Sequence, residues 1–164
     1  MSLLPVVEAI EASRISTVMR QDPYFSAVVN VIHLLGLVIF AGSILIVDLR
    51  LLGGGIKKQP LAQVARDAQP WLIGSLILML STGIPQILLT PTKQYYSQWF
   101  WLKMEILPIA IIYTFTVRRM VAQAAEGRVR PVWRMLVGLV SIAMWTVVVV
   151  VGRLIAYNWF APLT

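Results

Sequence analysis

The chain contains one imidazole, His33, and it lies in the first third of an apolar stretch long enough to cross a bilayer, FSAVVNVIHLLGLVIFAGSILIVDLR at 25–50. An ionisable side chain held in lipid is expensive, so it marks a functional or packing site that faces protein. A neutral imidazole there can ligate a metal or a haem iron, or it can hydrogen-bond a neighbouring helix. The chain has no cysteine, so it can form no disulfide, iron–sulfur cluster, thiolate metal site or c-type haem attachment. A metal or haem would therefore rest on His33, methionines, carboxylates or residues of a partner. The same stretch ends on Asp48 and Arg50, which suit an interfacial ion pair or a cap on the helix end.

Other polar residues share faces with His33. At about 100° per residue, Ser26, Asn30, His33 and Asp48 fall within roughly 60° of one another, with Gly36 beside them as a point of close approach. In the second apolar run, Ser75, Met79, Thr82 and Gln86 share one face. Polar stripes on two successive spans are explained if both face the inside of a bundle. Lys103 lies about one turn into the third run from the outer surface, and His33 lies somewhat deeper on the same half. Gln86 and Arg153 end their runs on the same side. The geometry expected is a polar pocket bounded by His33, Gln86 and Lys103, with Asn30 and Arg153 as further candidates. Glu105, two residues from Lys103, points to the opposite helical face and cannot line the same pocket on a regular helix. Each residue also has a plainer reading: His33 as a hydrogen-bonded packing residue, Lys103 as a cation snorkelling to headgroups, Met79, Met104, Met120, Met135 and Met144 as gap-filling apolar side chains.

The elements that position these groups follow from hydropathy. Of 164 residues, 59% are hydrophobic and 13% charged, with mean hydropathy +0.79, the profile of a polytopic membrane protein. The reading is an all-α integral membrane protein, a single transmembrane domain built as a four-helix bundle with spans at about 24–50, 70–90, 99–118 and 135–156, each near the ~20 residues needed to cross. Residues 2–20 alternate apolar and charged groups and suit an amphipathic helix in the interface. Asp22 and Pro23 suit a cap and first-turn proline for span one, 61–69 a short surface helix, and 91–98 a polar loop. Pro108 should kink span three or free a carbonyl. Gly53-Gly54-Gly55 follows a helix and lacks a lysine–serine pair, so it reads as a turn and not a phosphate cradle. No removed signal peptide is expected, since the first insertable run lacks a cleavage pattern.

The net charge of +7 is concentrated in loops. Arg50, Lys57, Lys58, Arg66, Arg118, Arg119, Arg128, Arg130 and Arg134 flank one side, against Arg14, Arg20, Lys93 and Arg153 on the other. The bases set topology and make no nucleic-acid footprint. The expected location is a bacterial inner membrane, with both termini in the periplasm. Tyr95, Tyr96, Trp99, Trp101, Tyr157 and Trp159 fall on that outer side as an aromatic belt.

His33-Leu-Leu-Gly-Leu-Val-Ile-Phe-Ala-Gly42, then Asp48-Leu-Arg50-Leu-Leu-Gly53, with Trp101-Leu-Lys103-Met104 opening span three, resembles an uncharacterised family of small four-helix bacterial membrane proteins. More distantly it is similar to the copper resistance D family and to HemJ-type protoporphyrinogen oxidases. The second resemblance implies His33 as a haem ligand and Lys103 as a base near the porphyrin; the first implies His33 with methionines handling copper. Three functions stay open: a haem- or redox-associated protein, with haem b on His33 and Lys103 and Arg153 on propionates; a cofactor-free anchor or scaffold subunit; or metal transport. The partners expected are the lipid bilayer and either further copies of the chain or other membrane subunits, and no nucleic acid. A single histidine requires a sixth haem ligand of another type, one from a partner, or a vacancy.

Overall fold

Inside hydrocarbon, backbone N–H and C=O groups have only each other to bond, so an apolar run of this length closes into helix. The computed structural model describes residues 3–55, 58–124 and 128–157, and among them there is helix and turn but no strand. In chain order these are α1 (Leu4–Glu11), α2 (Arg14–Gln21), α3 (Phe25–Leu51), α4 (Leu61–Leu89), α5 (Pro91–Tyr95), α6 (Gln98–Tyr113), a π-turn (Thr114–Arg118), α7 (Arg119–Gln123) and α8 (Pro131–Tyr157). Four segments, Phe25–Leu51, Leu61–Leu89, Gln98–Gln123 and Pro131–Ile155, are long and apolar enough to cross a membrane. The protein is an all-α, multi-pass membrane protein folded as a four-helix bundle in contact with lipid.

Several local expectations need adjusting. The single interfacial helix is two, α1 and α2, because Ser13 leaves helical geometry and its side chain accepts from the Ser16 amide at 3.3 Å, starting a second helix. Asp22 does cap α3: its Oδ1 accepts from the Tyr24 and Phe25 amides at 2.9 and 3.2 Å, so Pro23 lies in the turn before the helix. The segment 61–69 is no separate surface helix but the first turns of α4, and the 91–98 loop contains α5. Pro70, Pro85 and Pro108 are all accommodated inside helices. Lys57, Gly127 and the tail at 158–160 lie outside the described residues.

α3 is the central element, packed along α4 on one side and α8 on the other; α6 lies on α8, and α7 closes against α4. Phe40, Ile44, Leu72, Ala110, Trp145 and Val148 form the mid-bundle core, in which Phe40 and Trp145 meet edge to face at 4.5 Å. A second cluster, Val47, Leu51, Leu61, Val64, Ala122 and Val137, fills the end that carries the loop bases. Lipid tails are as apolar as these side chains, so close approach and polar bonds must select the packing. Gly36 supplies one such approach, since a Cβ there would meet Met79 Cγ at 3.1 Å. Gly138 supplies the other, at 3.1 Å from the Asp48 carbonyl.

The opposite, aromatic end carries α1, α2 and α5. Ser16, fully buried, donates to the Leu88 carbonyl at 2.7 Å, one of the C-terminal carbonyls α4 cannot satisfy itself. Glu11 accepts from the Thr92 amide at 3.1 Å and pairs with Arg20 at 3.1 Å. The Thr92 bonds, helped by Arg20, hold the Glu11 carboxyl below its ordinary value of 4.5. A lowered carboxyl stabilises docking fully above about pH 4.5 and loses that contribution as pH falls through the lower folded value. The α1–α2 hairpin is therefore expected to loosen from α4 and α5 under acid, read as lengthening of a spin-label distance between Val18 and Ile87. Glu11→Gln should give the loosened distance at neutral pH, and salt should weaken the pairing because Glu11 and Arg20 are both about one-third exposed (35% and 36%).

Candidate functional site

Two polar centres are built into the bundle, separated by the Phe40–Trp145 core. The first is at the aromatic end. His33, half-buried on α3, faces α4, where its Nδ1 is 2.8 Å from Thr82 Oγ1. The hydroxyl of Thr82 has one proton, and it lies 2.7 Å from the Leu78 carbonyl of its own helix. The oxygen is then an acceptor towards the ring. The same hydroxyl is also 3.3 Å from the Met79 carbonyl of its own helix. With its own proton given to Leu78, Thr82 can accept from an Nδ1–H, and that tautomer leaves the lone pair on Nε2.

Lys103 on α6 is half-buried and close enough to His33 for the two to interact electrostatically. Its chain crosses α8 at Gly152, where a Cβ would stand 3.5 Å from Nζ. Gln86, one turn beyond Thr82, is half-buried with its Nε2 fully enclosed and without a partner. The structure thus brings together His33, Lys103 and the Gln86 face of α4. Asn30 departs from the expectation: it is exposed on the membrane-facing side of α3, because α4 packs nearer the His33–Gly36 edge of the stripe. Arg153 is exposed, beside Gly152 at the rim and outside the enclosed group. Glu105 is exposed on the outward face of α6, as its two-residue offset from Lys103 requires.

The second centre lies at the basic end. The expected Asp48–Arg50 pair does not form. Residues two apart on a helix point to nearly opposite faces, and Arg50 instead donates to the Gln59 carbonyl at 3.3 and 3.4 Å. Asp48, with no exposed surface, pairs with Arg118 of the π-turn, whose Nη2 also bonds the Ile44 carbonyl at 3.0 Å. Ser141 of α8 lies beside the carboxylate, yet Asp48 Oδ2 and Ser141 Oγ are both enclosed with no partner in hydrogen-bond geometry. Next to Arg118 is a cavity of about 30 Å³ lined by Ser43, Gln69, Thr114 and Gln123 among others, large enough for a water. The π-turn adds one residue to the helical turn here, and Thr114 within it repeats the Thr82 device, donating to the Ala110 carbonyl at 2.7 Å and accepting from Trp145 Nε1 at 2.9 Å.

Sequence reasoning placed Thr82 on the polar face of its span but did not join it to His33, and it read Arg118 only as a topology-setting base. The usable signal was Asp48 itself: a buried acid at that end requires a cation at its own depth on another helix.

The chain matches a family of unknown function (DUF6644) over residues 10–158. It belongs to that family. No curated protein matches the chain, and no solved structure matches it either.

Removing one member of a buried pair strands the other's charge, a loss of about 3–5 kcal/mol. Arg118→Met should therefore destabilise the bundle by about that amount in a reversible detergent unfolding titration, whereas Arg118→Met combined with Asp48→Leu should recover most of it. Arg50→Ala, which removes only an exposed bond to a loop carbonyl, should stay within about 0.5 kcal/mol.

Proposed function

We propose that the aromatic-end centre holds a b-type haem, making this a redox-associated membrane protein engaged in electron transfer or porphyrin handling. The observation that carries the reading is the anchored imidazole: Nδ1 stands 2.8 Å from Thr82 Oγ1, whose own proton goes to Leu78, so Nε2 is the nitrogen His33 would present to an iron. A hydrogen bond to the far nitrogen of a ligating histidine is the arrangement that orients the ring and raises its basicity. Among the described residues no group of three His, Cys, Asp or Glu side chains stands together to hold a bare metal ion. A macrocycle supplies four of its iron's ligands and asks the protein for only one or two, which a lone histidine can meet. Lys103, with no carboxylate among the described residues paired to it, and Arg153 at the rim suit the propionates of such a group. The haem would supply one-electron chemistry; the chain's own part is to fix the ring, desolvate it and counter the propionate charge. Of the haem and copper roles, the single histidine favours the haem, whose macrocycle already supplies most of the ligands.

The second reading, a cofactor-free anchor or scaffold subunit, is favoured by Asn30 and Glu105, polar groups exposed on membrane-facing surfaces that another subunit or a second copy would cover. Under either reading the loop bases orient the chain with both termini in the periplasm of a bacterial inner membrane.

The deciding measurement is a reduced-minus-oxidised spectrum of protein purified in mild detergent from haem-replete cells. Soret and α bands are expected in the wild type and should vanish in His33→Ala. Thr82→Val should retain the bands but lower haem affinity roughly 10–100-fold, the usual loss when the outer partner of a ligand is removed. A featureless spectrum from folded wild-type protein would sink the haem reading and leave the subunit one.

A further inference from the structure

On the outer side of the basic-end centre, with whose cavity it shares Ser43 and Ala68, a groove of about 380 Å³ opens on the membrane-facing surface between α3 and the first half of α4. That is within the ~300–1,000 Å³ range of sites for small organic ligands. Its apolar wall runs from Val38 to Ile46 on α3, eight helical steps or about 12 Å. Gly42 lies in the middle of that wall, and a Cβ built there meets nothing within 4 Å, so the backbone itself forms part of the floor. At the basic end the character changes. The groove finishes on Gln59 and Asp67, with the Trp71 indole, 65% exposed, one turn deeper on α4.

We propose that this groove binds one phospholipid with a primary-amine headgroup, an ethanolamine lipid, its acyl chain along Val38–Ile46 and its ammonium on Asp67. Three features select that occupant. The groove is open to lipid and is apolar over most of its length, which suits a chain and excludes a water-soluble ligand. Its polar end is held in place, since Arg50 donates twice to the Gln59 carbonyl. Its one charged lining residue is an acid, at an end of the bundle otherwise dominated by bases, and no described residue pairs with that carboxylate. A glycerol headgroup has hydroxyls to donate but no positive charge to meet Asp67. A choline headgroup carries the positive charge but has no N–H to donate to Asp67 or the Gln59 side chain. An ethanolamine ammonium supplies both, while the lipid phosphate falls among the exposed bases of the same end, Lys58 and Arg66.

The test is native mass spectrometry of the whole protein in mild detergent, titrated in parallel with phosphatidylethanolamine, phosphatidylcholine and phosphatidylglycerol of identical chains. The wild type should retain one ethanolamine lipid at least tenfold more tightly than the other two. Asp67→Asn should abolish the headgroup preference while chain binding persists. Gly42→Leu places a side chain in the open floor, where a Cβ meets nothing within 4 Å, and should abolish bound lipid of every type. Equal retention of the three lipids by the wild type, or retention of the ethanolamine lipid by Gly42→Leu at the wild-type level, would overturn the proposal. So would a change from dimer to monomer in Gly42→Leu, measured by light scattering, which would make the groove an interface between copies. Neither variant touches His33, Thr82 or Lys103, so the haem reading stands or falls separately.

Discussion

Hydrocarbon offers no hydrogen-bond partner, and every polar atom inside this bundle has to find one in the protein. The hydroxyls do so locally: Ser43, Ser75, Thr82, Thr114 and Thr116 each donate to the carbonyl four residues back on their own helix. That local bond consumes the only hydroxyl proton and leaves the oxygen an obligate acceptor. At Thr82 and Thr114 a neighbouring helix uses it, His33 from α3 and Trp145 from α8. A small side chain thereby becomes a fixed reading point for a ring on another helix.

The charged groups cannot be satisfied locally, and they tie distant parts of the chain together. Asp48 and Arg118 join the end of α3 to the π-turn that interrupts the third span. The wider turn and the adjacent cavity occur where the bulky guanidinium must reach both Asp48 and the Ile44 carbonyl. Gly138 brings α8 against the same end of α3, so the pair is enclosed from two sides. The orphaned Asp48 Oδ2 and Ser141 Oγ show that enclosure is complete while bonding is not, which suits the water-sized cavity nearby.

The bundle has two ends of unlike chemistry. At the aromatic end one imidazole is held with its free nitrogen available and a cation close by, under a helical hairpin latched by Ser16 and Glu11. At the basic end the buried charges, Asp48 and Arg118, neutralise each other and are structural. The mid-bundle layer of Phe40, Ile44, Leu72 and Trp145 keeps the two apart, some 22 Å along α3 from His33 to Asp48 at ~1.5 Å per residue. The groove by Gly42 lies outside this axis, on the lipid side, and makes a separate demand on the same helix.

Hydropathy and length alone fixed four spans, because apolar runs of this size have no other stable backbone state in lipid. Helical periodicity placed His33 and Asp48 towards protein and sent Glu105 away from Lys103, since both follow from angles along one helix. The same reasoning could not separate Asn30 from His33: they lie within one stripe, and only the position of α4 decides which edge of it is covered. It also joined Asp48 to the wrong arginine by choosing the neighbour in sequence over the neighbour in space. His33–Thr82 and Asp48–Arg118 span 49 and 70 residues, so each depends on the rotation and register of two helices relative to one another. Those are properties of packing between helices, which a one-dimensional pattern does not contain, and the tertiary structure alone settled them.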